Sequence, residues 1–356
     1  MKALITAGGH GTRLRPLTYT VNKHLIPIAN KPMIFHALDK IAKVGIKEVA
    51  ININEGDKIL PQIVGDGSTW GLKITYIEQI GGALGLAHII KNAADWIGND
   101  DLLFYLGDNI ILGEITDLVQ KFHDEKADCV LALAKVKDPK RFGVPEIKDG
   151  KIIGVVEKPS EPKSNYAVTG IYVYNNNILK AVQELKPSAR GELEISDAHQ
   201  WFIDNNLKVT YQEITGWWKD TGKPEDLLEG NALILTDIEN NNQASEIHER
   251  ARIQGKVIIE EGVKIGDNVL IRGPVVIGKN AVLENCYIGP YTAIGHYVEI
   301  YNAEIEHSIV LDYADINCDK RIVDSIIGAN ATISNVHLTK PNGHRLILGE
   351  NSAIEL

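Results

Sequence analysis

The chain has 356 residues, 44% apolar and 24% charged, which is long enough for one large or two ordinary domains and argues against a disordered chain. A formal net charge of −10 disfavours a nucleic-acid surface, and no run approaches the ~20 uninterrupted apolar residues of a membrane-spanning helix. Met1–Ala7 is too short for a signal peptide, and Cys129, Cys286 and Cys318 lie too far apart to suggest a disulfide framework or a zinc site, so the cytoplasm is the expected compartment.

In chain order, Lys2–Ala7 reads as a short buried strand running into glycines. Residues 31–44 place Ile34, Leu38, Ile41 and Val44 at helical spacing, with Pro32 near the start and Gly45 just past the end. Glu48–Ile53 and Leu102–Leu106 read as further buried strands. Strands separated by helices point to a largely parallel sheet covered on both faces. The second half changes character. Ile253, Ile259, Ile265, Ile271, Ile277 and Leu283 recur every six residues, with Val257, Val263, Val269, Val275 and Ala281 in step. After a one-residue slip, Ile288, Ile294 and Ile300 resume the period. Neither an amphipathic helix nor an alternating strand has that period; a parallel β-helix does, because each hexapeptide supplies one short strand and one corner. The polar, aperiodic stretch at residues 236–243 marks a boundary, giving an N-terminal α/β domain over 1–238 and a β-helix over 245–356.

Residues 1–38 carry Lys2, Arg13, Arg15, Lys23 and Lys31 and no carboxylate, the first acid being Asp39. Such a local excess suits a small polyanion or a solvated face. Within it stands Gly8-Gly9-His10-Gly11-Thr12-Arg13-Leu14-Arg15-Pro16-Leu17-Thr18. Glycines let backbone N–H groups approach phosphate oxygens, and arginines make charge-assisted contacts to them. The segment is not a P-loop, which ends in Gly-Lys-Ser/Thr, nor a dinucleotide fingerprint, since Leu14 stands where the third glycine belongs.

That segment, followed by Asn22-Lys23-His24-Leu25-Ile26-Pro27-Ile28 and Asn30-Lys31-Pro32-Met33, resembles the opening signature of the sugar-1-phosphate nucleotidyltransferases. Within them it is most similar to the glucose-1-phosphate thymidylyltransferases of the longer form. The likeness continues through Leu106-Gly107-Asp108-Asn109, Phe142-Gly143-Val144, Glu157-Lys158-Pro159 and residues 164–172, 188–197 and 218–222. It implies an α/β fold, a Rossmann-like mixed, mostly parallel sheet of the nucleotide-diphospho-sugar transferase type, followed by a left-handed parallel β-helix. It implies as substrates glucose 1-phosphate and dTTP or UTP, with Mg²⁺ as cofactor.

The chemistry implied is in-line attack of a sugar-phosphate oxygen on the α-phosphorus, with pyrophosphate leaving. The attacking oxygen is already ionised, so positioning and charge neutralisation dominate. The resemblance makes Asp108 and Asp220 the Mg²⁺ ligands, although an aspartate taken singly is more often a cap or turn residue. It makes Arg13 the group gripping pyrophosphate and Lys23 a contact to the phosphates during transfer. Lys158 and Arg190 would bind the sugar phosphate, with Gly143, Glu157, Val168, Thr169, Tyr172 and Glu192 lining the sugar pocket. Gly8, Gly9, Gly11, Thr12, Gln79 and Gly85 complete the nucleotide site. The sequence departs from the family at the base: its usual glutamine lies five residues before Gly-Leu-Ala, whereas Gln79 lies six before Gly85-Leu86-Ala87, with Gly81-Gly82-Ala83 between to absorb the extra residue. His24 stands where many relatives carry glutamine.

GDP-mannose synthesis is the same-chemistry alternative, since those relatives also join this motif to a β-helix. Another is a bifunctional enzyme with an acetyltransferase site on the β-helix, to which His296, His307 and Lys340 would contribute. A catalytically silent subunit would lack phosphate and metal positions that are present here. The repetitive faces of a β-helix suit subunit contacts, so a homo-oligomer is expected.

Overall fold

The computed structural model describes residues 1–9, 11–214, 216, 218–335, 346 and 349–355. The chain divides into two compact units, Met1–His10 with Met33–Asp220, and Gly11–Pro32 with Thr221–Leu356.

The first unit is built on a nine-stranded sheet. Its strands are β1 (Lys2–Thr6), β2 (Glu48–Ile53), β3 (Lys73–Glu78), β4 (Leu102–Leu106), β6 (Cys129–Lys135), β7 (Gly143–Lys148), β8 (Lys151–Glu157), β9 (Tyr166–Tyr174) and β10 (Val209–Glu213). They run in the order β8-β7-β9-β4-β1-β2-β3, with β6 added on β9 and β10 on β6. The stretch β4-β1-β2-β3 is parallel, whereas β9 runs antiparallel to β4 and β6. Two shorter strands, β5 (Asn109–Ile111) and β11 (Trp218–Asp220), pair separately in antiparallel register. Ala3, Leu4 and Ile5 of β1 are all fully buried, which explains why that strand is a continuous apolar run.

The first helix, α1 (Met33–Val44), buries Met33, Ile34, Ala37, Leu38 and Ile41 on one face and is followed by Gly45 at φ 90°, as a helix C-terminus favours. It begins two residues later than the periodicity suggested, because Lys31–Pro32 pairs with Pro27–Ile28 instead. A residue before proline is driven out of the helical region, so extended pairing wins there. Helices α2 (Leu86–Asn92), α3 (Thr116–Asp124), α4 (Asn177–Glu184) and α5 (Ile195–Asp204) also belong to the unit, with shorter helical segments at Ile59–Val64 and Ala94–Ile97.

The core joins Leu4, Phe104, Leu131, Tyr172, Tyr174 and Phe202. One polar ring lies among them: His199 of α5 is fully buried, with Nε2 2.6 Å from the Tyr174 hydroxyl. Burial pushes its pKa down to about 3 from 6.5, so the folded chain holds it neutral where an unfolded chain would protonate it. The unfolded state then binds the extra proton, and stability must fall as pH drops from 6.5 towards 3. At pH 5 this one group is expected to remove about 2 kcal/mol. Urea unfolding of His199→Gln against the parent, at pH 7.5 and 5, checks it; equal acid sensitivity in the two would contradict the assignment.

The second unit contains the β-helix. Three sheets of parallel strands form its faces, and each strand pairs with the equivalent strand of the next coil. Val257 pairs with Val275, eighteen residues on, and Val275 with Thr292, seventeen on. The one-residue slip in the sequence is this shortened coil. Ile259, Ile265, Ile271, Ile277 and Leu283 all fall in the interior column, each at most 1% exposed. At one corner Asn268, Asn285 and Asn302 take left-handed backbone and hydrogen-bond to one another through their side chains.

One face carries an apolar outward row, Ile258, Val276 and Ala293 in successive coils. Its Val276 and Ala293 are buried against Leu235, Ile238 and Ala29. Leu235 belongs to α6 (Pro224–Thr236), and Ala29 to the Gly11–Pro32 segment. Asn231 of α6, fully buried, accepts from Ala29 N–H and donates to the Tyr291 carbonyl, and Asn30 donates to the Ile294 carbonyl. The arginine- and lysine-bearing segment is thereby seated on the β-helix.

Candidate active site

In the first unit, the carboxyl end of β4 delivers Asp108 directly ahead of β5. Across the β5–β11 pair, Asp220 stands opposite Asn109. Asp108, in the turn just before β5, is thus one residue from the position that Asp220 pairs with, 112 residues on in sequence, and both are half-buried. Asn109 donates to Asp108 Oδ1 over 3.0 Å, and Trp218 Nε1 donates to Asn109 Oδ1 over 2.5 Å. Trp218 is packed edge-on against Phe142, ring centroids 5.2 Å apart. Gly170 allows β9 to pass: a Cβ there would meet Asn109 Nδ2 at 2.7 Å. Among the described residues no group of three or more His, Cys, Asp or Glu could hold a metal. A two-carboxylate pair with one oxygen fixed by an amide nevertheless fits a hard divalent cation that draws its other ligands from phosphate and water.

A second constellation lies around Glu157 at the end of β8. Ser196 donates to Glu157 Oε2 over 2.7 Å, and Lys158 Nζ and Arg190 Nη2 lie 3.5 and 3.8 Å from Oε1. Arg190 is gripped by Glu194 at both ends of its fork, Nε to Oε1 at 3.1 Å and Nη2 to Oε2 at 2.7 Å, with Glu192 3.7 Å away. Glu194 is 9% exposed against 44% for the arginine, so the carboxylate anchors and the guanidinium reaches out. The hydrogen bond that Arg190 donates to Glu194, ahead of the other nearby carboxylates, raises the Arg190 pKa. Burial first, then Glu194 and Glu157, raise that of Asp197. Gly143 closes the floor, where a Cβ would come 2.8 Å from Ser196 Oγ and 3.4 Å from Glu157 Oε2. Carboxylates are acceptors that suit hydroxyl donors, and the Lys158 and Arg190 cations beside them suit an anion such as a phosphate. Lys158 is held at φ 44°, a backbone region few non-glycine residues adopt.

Of the other positions the resemblance assigns to a sugar pocket, Val168 is 7% exposed and Thr169 fully buried, its hydroxyl donating to the Ala132 carbonyl. Tyr172 is 3% exposed and packs on Phe104 and His199.

The glycine segment begins in this unit. Gly8 lies against Gln79 and Asn52: a Cβ on it would sit 2.7 Å from Gln79 Oε1 and 2.8 Å from Asn52 Nδ2. The Gly9 N–H donates to Asn54 Oδ1 at 3.0 Å, so that donor is engaged within the protein rather than open to phosphate. Gly85 opens α2 at φ 100° and ψ 166°.

In the second unit, Gly11 takes left-handed backbone ahead of a 3₁₀ turn at Thr12–Leu14. Its carbonyl accepts from the Thr18 hydroxyl at 2.8 Å, and a Cβ on it would lie 3.2 Å from that of Lys23. Thr12 and Arg13 are exposed. A Cβ on Gly222 would come 3.0 Å from an Arg13 guanidinium nitrogen, so this glycine leaves room for the arginine. Lys23 is 8% exposed in a turn capped by Asn22, which accepts from His24 N–H. His24 is 3% exposed with Nδ1 3.0 Å from the same Asn22 oxygen. His296 and His307 are engaged at β-helix corners, His296 Nδ1 accepting from Lys279 N–H and His307 Nδ1 2.5 Å from Asp324. His10, Trp217 and Lys340 lie outside the described residues.

Several residues of these clusters were not singled out from sequence. Asn109 follows Asp108 in the quoted motif, and Glu194 and Ser196 lie in the matched 188–197 stretch, so their presence was visible but their roles as supports were not. Trp218 opens the matched 218–222 stretch, again without its role being visible, whereas Asn52 and Asn54 carry no local signal; all three count because folding brings their amide and indole groups to Gln79, Gly9 and Asn109.

Residues 2–237 match the nucleotidyl transferase family. The chain belongs to that family. Over its whole length it is 42% identical to a glucose-1-phosphate thymidylyltransferase of Streptomyces antibioticus, covering 99% of that protein. It is 40% identical, again end to end, to the low-salt glycan biosynthesis nucleotidyltransferase of Haloferax volcanii. A crystal structure assigned as a glucose-1-phosphate thymidylyltransferase from Bacillus anthracis, bound to a sucrose, superposes with a TM-score of 0.63 at 42% identity, covering 68% of this chain and 98% of that one. A UDP-glucose pyrophosphorylase, at 23% identity and a TM-score of 0.58, shares the fold. The mixed α/β sheet and the parallel β-helix are thus those of a nucleotidyltransferase with a left-handed β-helical extension. As an enzyme of this family the chain handles a nucleoside triphosphate and a sugar 1-phosphate, and the family generally uses a divalent metal. Among the described residues no helix is long and apolar enough to cross a membrane.

Proposed function

We propose that this chain transfers a nucleoside monophosphate from dTTP, or UTP, to glucose 1-phosphate, giving the nucleotide sugar and pyrophosphate. What carries the reading is the end-to-end match to glucose-1-phosphate thymidylyltransferases; the clusters around Asp108 and Glu157 support it. The second anionic substrate must be brought beside the first, and Lys158 with Arg190 would offset that repulsion. Glu194 holds Arg190 in one orientation, so little freedom is lost when phosphate binds. Glu157, itself fixed by Ser196, would accept from sugar hydroxyls. Asp108 and Asp220 would hold Mg²⁺, which lowers the negative charge on the phosphates. Arg13 would take up charge on the departing pyrophosphate, and Lys23 charge on the phosphates during transfer. Gln79 would read the pyrimidine edge.

Pyrophosphate release with Mg²⁺, over dTTP, UTP, GTP, CTP and ATP crossed with glucose, mannose and N-acetylglucosamine 1-phosphates, tests this. Fastest turnover is expected with glucose 1-phosphate and dTTP or UTP. A preference for GTP with mannose 1-phosphate would install that reading instead, and no turnover with any pair would sink the enzymatic one.

A further inference from the structure

The Gln79 carboxamide has only one favourable orientation. Its Nε2 donates to the Gly82 carbonyl over 2.7 Å. A carbonyl accepts and never donates, so the amide nitrogen must take that end. Oε1 consequently faces Asn52, whose Nδ2 donates to it over 3.1 Å. Asn52 is fully buried near the end of β2 and Gln79 is 7% exposed, so water does not readily replace that bond. Asn52 Oδ1 has no protein donor among the described residues. Turning Asn52 alone would set its oxygen against Oε1, and turning Gln79 would set its oxygen against the Gly82 carbonyl.

With these two bonds made, Gln79 keeps one N–H and one oxygen lone pair, in a fixed spatial order. A base edge with a ring N–H beside a carbonyl, as in thymine or uracil, meets that pair in one order. Cytosine, with a bare ring nitrogen beside an amino group, needs the reverse. A freely turning glutamine reads both edges by rotating its amide; a fixed one reads only the first. Gly82 lies beside Ile80, which is 73% exposed, on a surface loop. Asn52 is the partner that stays in the core.

We propose that Asn52 is a positioning residue for base selection: by donating to Gln79 Oε1 it holds the amide in the order that favours a lactam-edged pyrimidine over cytosine. This rests on the reading that the chain uses dTTP or UTP. The residue touches no substrate and acts through Gln79, so its signature is a ratio between nucleotides rather than a loss of overall rate.

The test is kcat/KM for dTTP and dCTP with glucose 1-phosphate, in the parent, Asn52→Leu, Asn52→Asp and Gln79→Leu. Asn52→Leu should lower the dTTP-over-dCTP ratio about ten- to hundredfold, the scale of one bidentate base contact. Asn52→Asp, whose carboxylate only accepts, should lower it at least as far by drawing Nε2 away from Gly82. Asn52→Ser reads the same ratio should the leucine variant melt early. A ratio unchanged in the Asn52 variants but lost in Gln79→Leu would overturn the role of Asn52 and leave the proposed function standing. A parent that turns over neither dTTP nor UTP would remove both readings together.

Discussion

Asp220→Asn and Asp108→Asn are each expected to lower kcat about a thousandfold or more, with thermal melting close to the parent. Both side chains are half-buried at strand ends rather than in the core, so an isosteric amide leaves packing intact while removing a charge. The chemistry depends on that charge. Two polyanions would have to meet, and the proposed cation that makes this tolerable would be held by carboxylate oxygens, for which a neutral amide is a poor replacement. The Mg²⁺ concentration giving half-maximal rate should rise in both variants. Their effects should not add in the double variant, because removing one ligand already disables the pair. Asn109 links the two strands, donating its amide N–H to Asp108 and accepting at its oxygen from Trp218 Nε1. The readout is steady-state pyrophosphate release with Mg²⁺ varied. Turnover within about tenfold of the parent in either variant would take that aspartate out of the metal site, since a lost ligand to a catalytic ion costs more.

Gly85→Ala is expected to destabilise the first unit by on the order of 3–5 kcal/mol, through strain and overpacking together. Gly85 sits at φ 100° and ψ 166°, a region that L side chains avoid. A Cβ there would come 2.4 Å from the Leu193 carbonyl oxygen and 2.8 Å from its nitrogen, and neither can move without breaking local bonds. Leu193 N–H donates to the Leu84 carbonyl, and its own carbonyl accepts from Ala87 N–H. The added methyl would therefore separate α2 from the stretch that carries Arg190 and Glu194. Gly82→Ala is the control, because Gly82 also has positive φ, 86°, yet a Cβ there meets nothing within 4 Å. It should lose only about 1 kcal/mol. Urea unfolding of the two variants checks this, and equal losses would show that the contact with Leu193 is not what makes Gly85 necessary.

Much of the architecture was readable in the chain because it is written in local periods. The six-residue recurrence of Ile253 to Leu283 specifies a β-helix without further information, since no other element buries a column at that spacing; even the slip before Ile288 reappears as one shortened coil. The continuous apolar runs at Lys2–Thr6, Glu48–Ile53 and Leu102–Leu106 appear as parallel neighbours buried on both faces. Where Lys31–Pro32 was read as helix, a pairing with Pro27–Ile28 took precedence over the periodic signal. The motifs likewise named the chemical groups, because residue types and their order are properties of the sequence alone.

Only the tertiary structure decided which of those groups meet. Nothing local brings Asp220 opposite Asn109, since β5 and β11 are short strands paired across more than a hundred residues. Nothing local shows that Glu194 anchors Arg190, that Asn54 engages the Gly9 N–H, or that Asn52 orients Gln79. Nor does any period announce that residues 11–32, with Arg13 and Lys23, pack with α6 and the β-helix. The physical reason is common to all of these. Hydrogen bonds and ion pairs act over about 3–4 Å in space and are blind to sequence separation, so the supports of a site become visible only when the chain has folded around it.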